Sequence, residues 1–200
     1  MTPLHRHMSR TRSIARGLAL LALAGCGGRR ASAPAPAPQE TAERLLPQQE
    51  TWVLEAGGTP PDDTTLTITA GEFRFIVVRN GPPDLAAFVV LEFPETAFAL
   101  PRGTPVEMSI SVRPGVYGVD WICAERPVGA RITFKYARHF EAPVAARRRY
   151  GSDTAFERQL VVGRLLDDGN ILLLRTRRPH VNDLSAPLEE SGSYVVAGPK

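Results

Sequence analysis

From Thr51 to the C-terminus the chain is a succession of short apolar runs rich in Val, Ile, Phe and Thr, each closed by Gly, Pro, Asp or Asn before a long helix could form. On this pattern strands are expected near 51–56, 64–69, 73–79, 86–93, 106–112, 116–123, 129–136, 156–166, 170–176 and 193–197. Two of them alternate strictly: Val106, Met108, Ile110 and Val112, then Ala130, Ile132, Phe134 and Tyr136. Such alternation sets one face of a strand into a core and the other into water. Asp167-Asp168-Gly169-Asn170 supplies the positive dihedrals of a tight hairpin. Asn80-Gly81-Pro82-Pro83, Arg113-Pro114-Gly115 and Glu125-Arg126-Pro127 mark further turns. No stretch sustains a helical period, and no internal repeat marks a propeller or solenoid. The expected fold is all-β, a single antiparallel β-sandwich domain of immunoglobulin-like type over 51–200. A domain near 150 residues hides about two thirds of its unfolded surface, enough for a core without disulfides.

The chain ahead of this domain reads differently. Residues 1–17 hold Arg6, Arg10, Arg12 and Arg16 with no acidic residue and lead into the apolar run Leu18–Ala24. Basic then apolar is the order of a secretory signal, and the run falls well short of the roughly 18–20 apolar residues that span a bilayer. Translation from Met8 would keep the same order. At its end, Leu23-Ala24-Gly25-Cys26 resembles the lipobox of bacterial lipoproteins. That resemblance implies cleavage between Gly25 and Cys26, a thioether-linked diacylglycerol on Cys26, and export to a membrane. Gly27 stands where some inner-membrane lipoproteins carry Asp, which favours the outer membrane and leaves open its periplasmic or surface face. Two or three acyl chains on one residue hold where a single chain binds only reversibly. Cleavage after Ala24 is the alternative, since Ala22-Leu23-Ala24 also fits the small-x-small rule.

Between signal and domain, Ala31–Pro38 alternates Pro with Ala and Ser and gives way to a polar stretch with Gln39, Glu40, Gln48 and Gln49. Prolines without a hydrophobic period favour an extended spacer, so residues 26–50 are expected to be a flexible Ala/Pro-rich tether, with a helical turn near 41–46 as a local option.

The formal charge of +3 changes meaning once the signal is set aside. Four of the 24 basic residues belong to it, which leaves 20 against 21 acidic ones. That balance removes the argument for a nucleic-acid partner. The runs Arg147-Arg148-Arg149 and Arg175, Arg177, Arg178 read as solvated charge, with an anion or lipid-headgroup site as the alternative. Lipidation of Cys26 would leave Cys123 unpaired; in its apolar strand it is expected to be a buried, inert thiol. Cleavage after Ala24 would instead free Cys26 to bridge to it.

Chemistry is sparse. His139 and His180 lack close zinc-ligand spacing, and Cys123 has no neighbouring His and Met for a copper site, so neither metal nor cofactor is expected. No Gly-x-Ser-x-Gly elbow is present. The pairs Asp62-Asp63 and Asp167-Asp168 stand in turn sequences rather than in an acidic calcium ladder. Trp52, Trp121, Tyr117, Tyr136, Tyr150 and Tyr194 are expected in the core more than along a glycan or peptide groove.

From Phe93 to Gly198 the chain presents Phe93-Pro94, Pro114-Gly115-Val-Tyr117, Arg126-Pro127, the strand 130–136, the Asp168-Gly169 hairpin and a closing Gly192-Ser-Tyr-Val-Val196. This order resembles β-sandwich modules of the ZU5 type, which implies an interaction or structural role without catalytic residues. Residues 51–85 and the insert 139–154 depart from it. The expectation is a membrane-anchored, non-enzymatic sandwich with an envelope protein or glycan as partner. The alternative is an exported hydrolase or small-ligand carrier whose site gathers His139, Arg147, Arg148, Arg149 and Tyr150.

Overall fold

The computed structural model describes residues 41–200, and it is an all-β sandwich of two antiparallel sheets. In chain order the strands are β1 (Arg44–Pro47), β2 (Thr51–Val53), β3 (Thr64–Thr69), β4 (Arg74–Arg79), β5 (Ala87–Phe93), β6 (Pro105–Val112), β7 (Gly118–Cys123) and β8 (Arg131–Lys135). After two short helices come β9 (Val161–Leu165), β10 (Asn170–Leu173), β11 (Asp183–Pro187) and β12 (Gly192–Pro199). The larger sheet runs β1-β10-β9-β12-β7-β6-β3, and β2 extends the β7 side of β12; the smaller runs β11-β8-β5-β4. Twelve strands among the described residues exceed the seven to nine of an immunoglobulin domain.

Alternation decides what faces the core. Ile110, Val119, Trp121, Tyr194 and Val196 turn inward from the larger sheet, and Val89, Leu91, Phe93, Ile132 and Phe134 from the smaller, all at most 1% exposed. Aromatic contacts cross the gap: Phe93 lies 6.3 Å from Trp121 and Phe88 stacks 5.2 Å from Tyr117. The expected core placement of Trp121, Tyr117, Tyr136 and Tyr194 is met, while Trp52 and Tyr150 sit half-buried at its edge.

β12 is the hinge of the larger sheet. It pairs with β9 along Ser193–Ala197; its other edge serves β7 up to Val195 and β2 from Ala197 onward. Its residues of opposite parity, Val195 and Ala197, join Val161, Ile171 and Leu173 in a second apolar cluster, with Leu46 of β1 packed on it. Gly163 makes that packing possible, because a Cβ there would stand 2.7 Å from Ile171 Cγ2.

Several expectations shift. Arg44–Pro47 is a strand registered on Asn170–Leu173, so the ordered domain takes in residues assigned above to the spacer, and the helical option at 41–46 is not taken. The strand expected at 156–166 forms only at Val161–Leu165. Ahead of it stand α1 (Val144–Tyr150) and α2 (Asp153–Glu157). Gly151 ends α1 at φ +82°, and Ser152 Oγ accepts from the Ala155 N–H at 3.1 Å to start α2. Phe156 then fills the core, 5.6 Å from Trp52. β11 was not expected at all; Asp183–Pro187 is extended because it registers on Lys135–Arg131. The Asp-Gly hairpin forms as expected between β9 and β10, with Gly169 at φ +80°.

Candidate functional site

Gly25 and Cys26, the expected cleavage and lipidation positions, lie outside the described residues. The other expected site residues fall on the insert between β8 and β9, and the structure does not bring them together. His139 follows β8, and its Nε2 lies 2.8 Å from Asp84 Oδ2 in the β4–β5 loop. Asn80 Nδ2 donates to the same oxygen at 2.9 Å, and Arg138 Nε lies 2.8 Å from Asp84 Oδ1. The His139 hydrogen bond, then Asn80 and the nearby cations, hold the Asp84 carboxyl below its ordinary value against the opposing effect of burial. The imidazole also packs on main chain, where a Cβ at Gly58 would lie 3.2 Å from its Nε2. Beneath, burial and the Asp84 charge push the Tyr117 hydroxyl up to about 12, opposed by a main-chain hydrogen bond with His139.

A hollow of about 460 Å³ opens beside His139, between Glu55, Gly57 and Glu141. His139 and Asp84 thus form a clamp that joins three loops. The Arg run turns elsewhere. Arg147 Nε pairs with Asp153 Oδ1 at 2.5 Å, Arg148 and Arg149 are exposed, and the Tyr150 hydroxyl donates to the Pro199 carbonyl at 2.8 Å.

A second concavity, about 430 Å³, lies on the outer face of the smaller sheet. Register lays its floor in rows: Val90, Thr133 and Ser185 across one, Glu92 and Arg131 in the next, Lys135 and Asp183 at the end. Arg131 Nε and Thr133 Oγ1 both lie 3.0 Å from Ser185 Oγ, and Lys135 Nζ lies 2.5 Å from Asp183 Oδ2. His180 Nδ1 reaches the same Asp183 oxygen at 2.9 Å. One wall is the segment from Arg177 to His180, which pairs with Ser185 through the Arg177 main chain. The other is Phe75 of β4, 59% exposed, its ring 4.8 Å from Phe73 and nearly perpendicular to it. Lys135 and Asp183 stand paired, Glu92 and Arg131 lie side by side in register, and an aromatic face stands open. Such a surface holds a ligand by stacking and by many small polar contacts.

The sequence signal for this trough is weak. Phe73 and Phe75 read as strand residues of either face, and Asp183 and Ser185 lie in a strand without β-rich composition. Signals for other sites resolve into structure. Asp168 accepts from the Asn170 main chain and side chain, which lowers its carboxyl, and Asp63 Oδ1 accepts from Val112 N–H at 3.0 Å. Cys123 is buried and burial pushes its thiol up, as expected of an inert core cysteine. Arg178, expected to be solvated, is half-buried and bonds the Tyr136 hydroxyl and the Glu157 and Leu160 carbonyls. Among the described residues no cluster of three or more His, Cys, Asp and Glu is placed to hold a metal, and no helix is long and apolar enough to cross a membrane. No family model, curated protein or solved structure matches this chain.

Proposed function

We propose that this chain is an exported lipoprotein, anchored through Cys26, whose sandwich binds a neutral, hydroxyl-rich glycan of the cell envelope in the trough of the smaller sheet. The trough carries this reading. There Lys135 is paired with Asp183 and Arg131 is bonded to Ser185, so these groups are already satisfied beside a neutral ligand, while Phe75 offers a stacking face and Thr133 and Ser185 offer hydroxyls. The lipobox-like Leu23–Cys26 supports the address, and the resemblance to ZU5-type modules supports an interaction role.

Cosedimentation of the processed chain with purified peptidoglycan sacculi tests the glycan. Binding is expected, and Phe75→Ala combined with Thr133→Ala is expected to weaken it about thirtyfold, the equivalent of an aromatic anchor worth ~2 kcal/mol. His139→Ala, on the other concavity, is expected to leave it unchanged. Absence of sedimentation, or equal sedimentation of the trough variant, overturns the glycan assignment.

A further inference from the structure

The described residues begin at Thr41, and arginines stand beside it. Arg44 of β1 and Arg158 at the end of α2 line one hollow with Thr41, Ala42 and Pro199. Tyr150, the last residue of α1, donates to the carbonyl of Pro199, which lines this hollow, and Arg148 and Arg149 precede it on the same helix. Both acids that answer nearby arginines are used: Asp153 by Arg147 and Glu43 by Arg175. Arg44, Arg148, Arg149 and Arg158 are all exposed, and none has a side-chain partner among the described residues. Arg44 and Arg158 thus stand beside Thr41, with Arg148 and Arg149 on the helix that reaches Pro199.

We infer that this face lies on the anionic leaflet to which the chain is tethered, the four arginines holding lipid phosphates. The orientation rests on the lipid-anchor reading of Cys26. Two observations select a lipid surface as the occupant. Residues 27–40 reach no more than roughly 50 Å even fully extended, so a domain held by Cys26 stays within touching distance of the headgroups. The charge is also placed where the tether ends, the one side that a short leash brings to the surface first. Attraction of this kind acts within a Debye length of roughly 10 Å and bears on guanidinium groups exposed as these are. Arg suits the task, since its planar fork matches two phosphate oxygens at once.

Vesicle cosedimentation of the chain from Gly27, which keeps every described strand and carries no lipid, reads this contact separately from acylation. Phosphatidylcholine vesicles with phosphatidylglycerol are expected to bind the chain, those without it are not, and binding is expected to fall as salt rises. Each arginine removed is expected to weaken the partition about fivefold, so Arg148→Gln with Arg149→Gln, and Arg44→Gln with Arg158→Gln, each lower it more than tenfold. The exposed pair Arg102→Gln with Arg126→Gln, elsewhere on the molecule, serves as control. Equal binding to both vesicle types, or an equal loss in the control pair, overturns the inference. Circular dichroism confirms that each variant is folded.

Discussion

Asp84 accepts from His139 and Asn80 and lies against Arg138, and these partners hold its carboxyl below the ordinary 3.8. A carboxylate lowered in the folded state contributes stability that is fully present above its unfolded value and is lost as pH falls through the folded one. The clamp on the β4–β5 loop is therefore expected to loosen in acid, below about pH 4, and to be indifferent to changes above that range as far as Asp84 is concerned. Melting temperatures recorded between about pH 5 and pH 2 should fall less steeply for Asp84→Asn than for the parent chain. Parallel curves would refute this account of the clamp. Of this cluster only His139 was legible in the sequence. Asn80 read as a turn residue and Asp84 gave no signal, and their role depends on a loop pairing across Gly57, Gly58 and His139 that no local pattern encodes. Cys123, Trp121 and Phe134 were legible because each sits in a strand where parity decides burial, whereas Phe98 and Phe156 are buried outside any strand.

Arg178 shows how an element is fixed from outside itself. Its guanidinium donates to the Glu157 and Leu160 carbonyls at the end of α2 and to the Tyr136 hydroxyl, which in turn donates to Glu157 Oε1. Burial pushes that hydroxyl up to about 12, so it remains a neutral donor across physiological pH. Arg178→Ala would leave two helix-end carbonyls and a buried hydroxyl short of a partner, and a loss of about 3 kcal/mol is expected in urea denaturation. A loss under ~0.5 kcal/mol, as for an ordinary surface change, would mean that the network does not hold α2 in place. The elements most legible in the sequence were those with both alternation and turn punctuation, β6 and β8. α1 and α2 were too short to show a helical period, and their signals were the Gly151 stop and the Ser152 cap. β1 and β11 owe their extended state to partners, β10 and β8, and their own composition is silent.

At the scale of the whole molecule, the two faces of the sandwich divide the labour proposed for it. Around Thr41 lie arginines without acidic partners among the described residues; on the smaller sheet lies the trough, with Lys135 paired to Asp183. Both assignments rest on the proposed anchoring of the chain at Cys26. Metabolic labelling with a tagged palmitate, followed by mass analysis of the N-terminal peptide and membrane fractionation, tests that anchor most directly. The account predicts an acylated peptide beginning at Cys26 in the membrane fraction, and a Cys26→Ser chain that takes up no label and leaves the membrane. A peptide beginning at Gly25, or a Cys26→Ser chain that keeps both label and membrane residence, would contradict it.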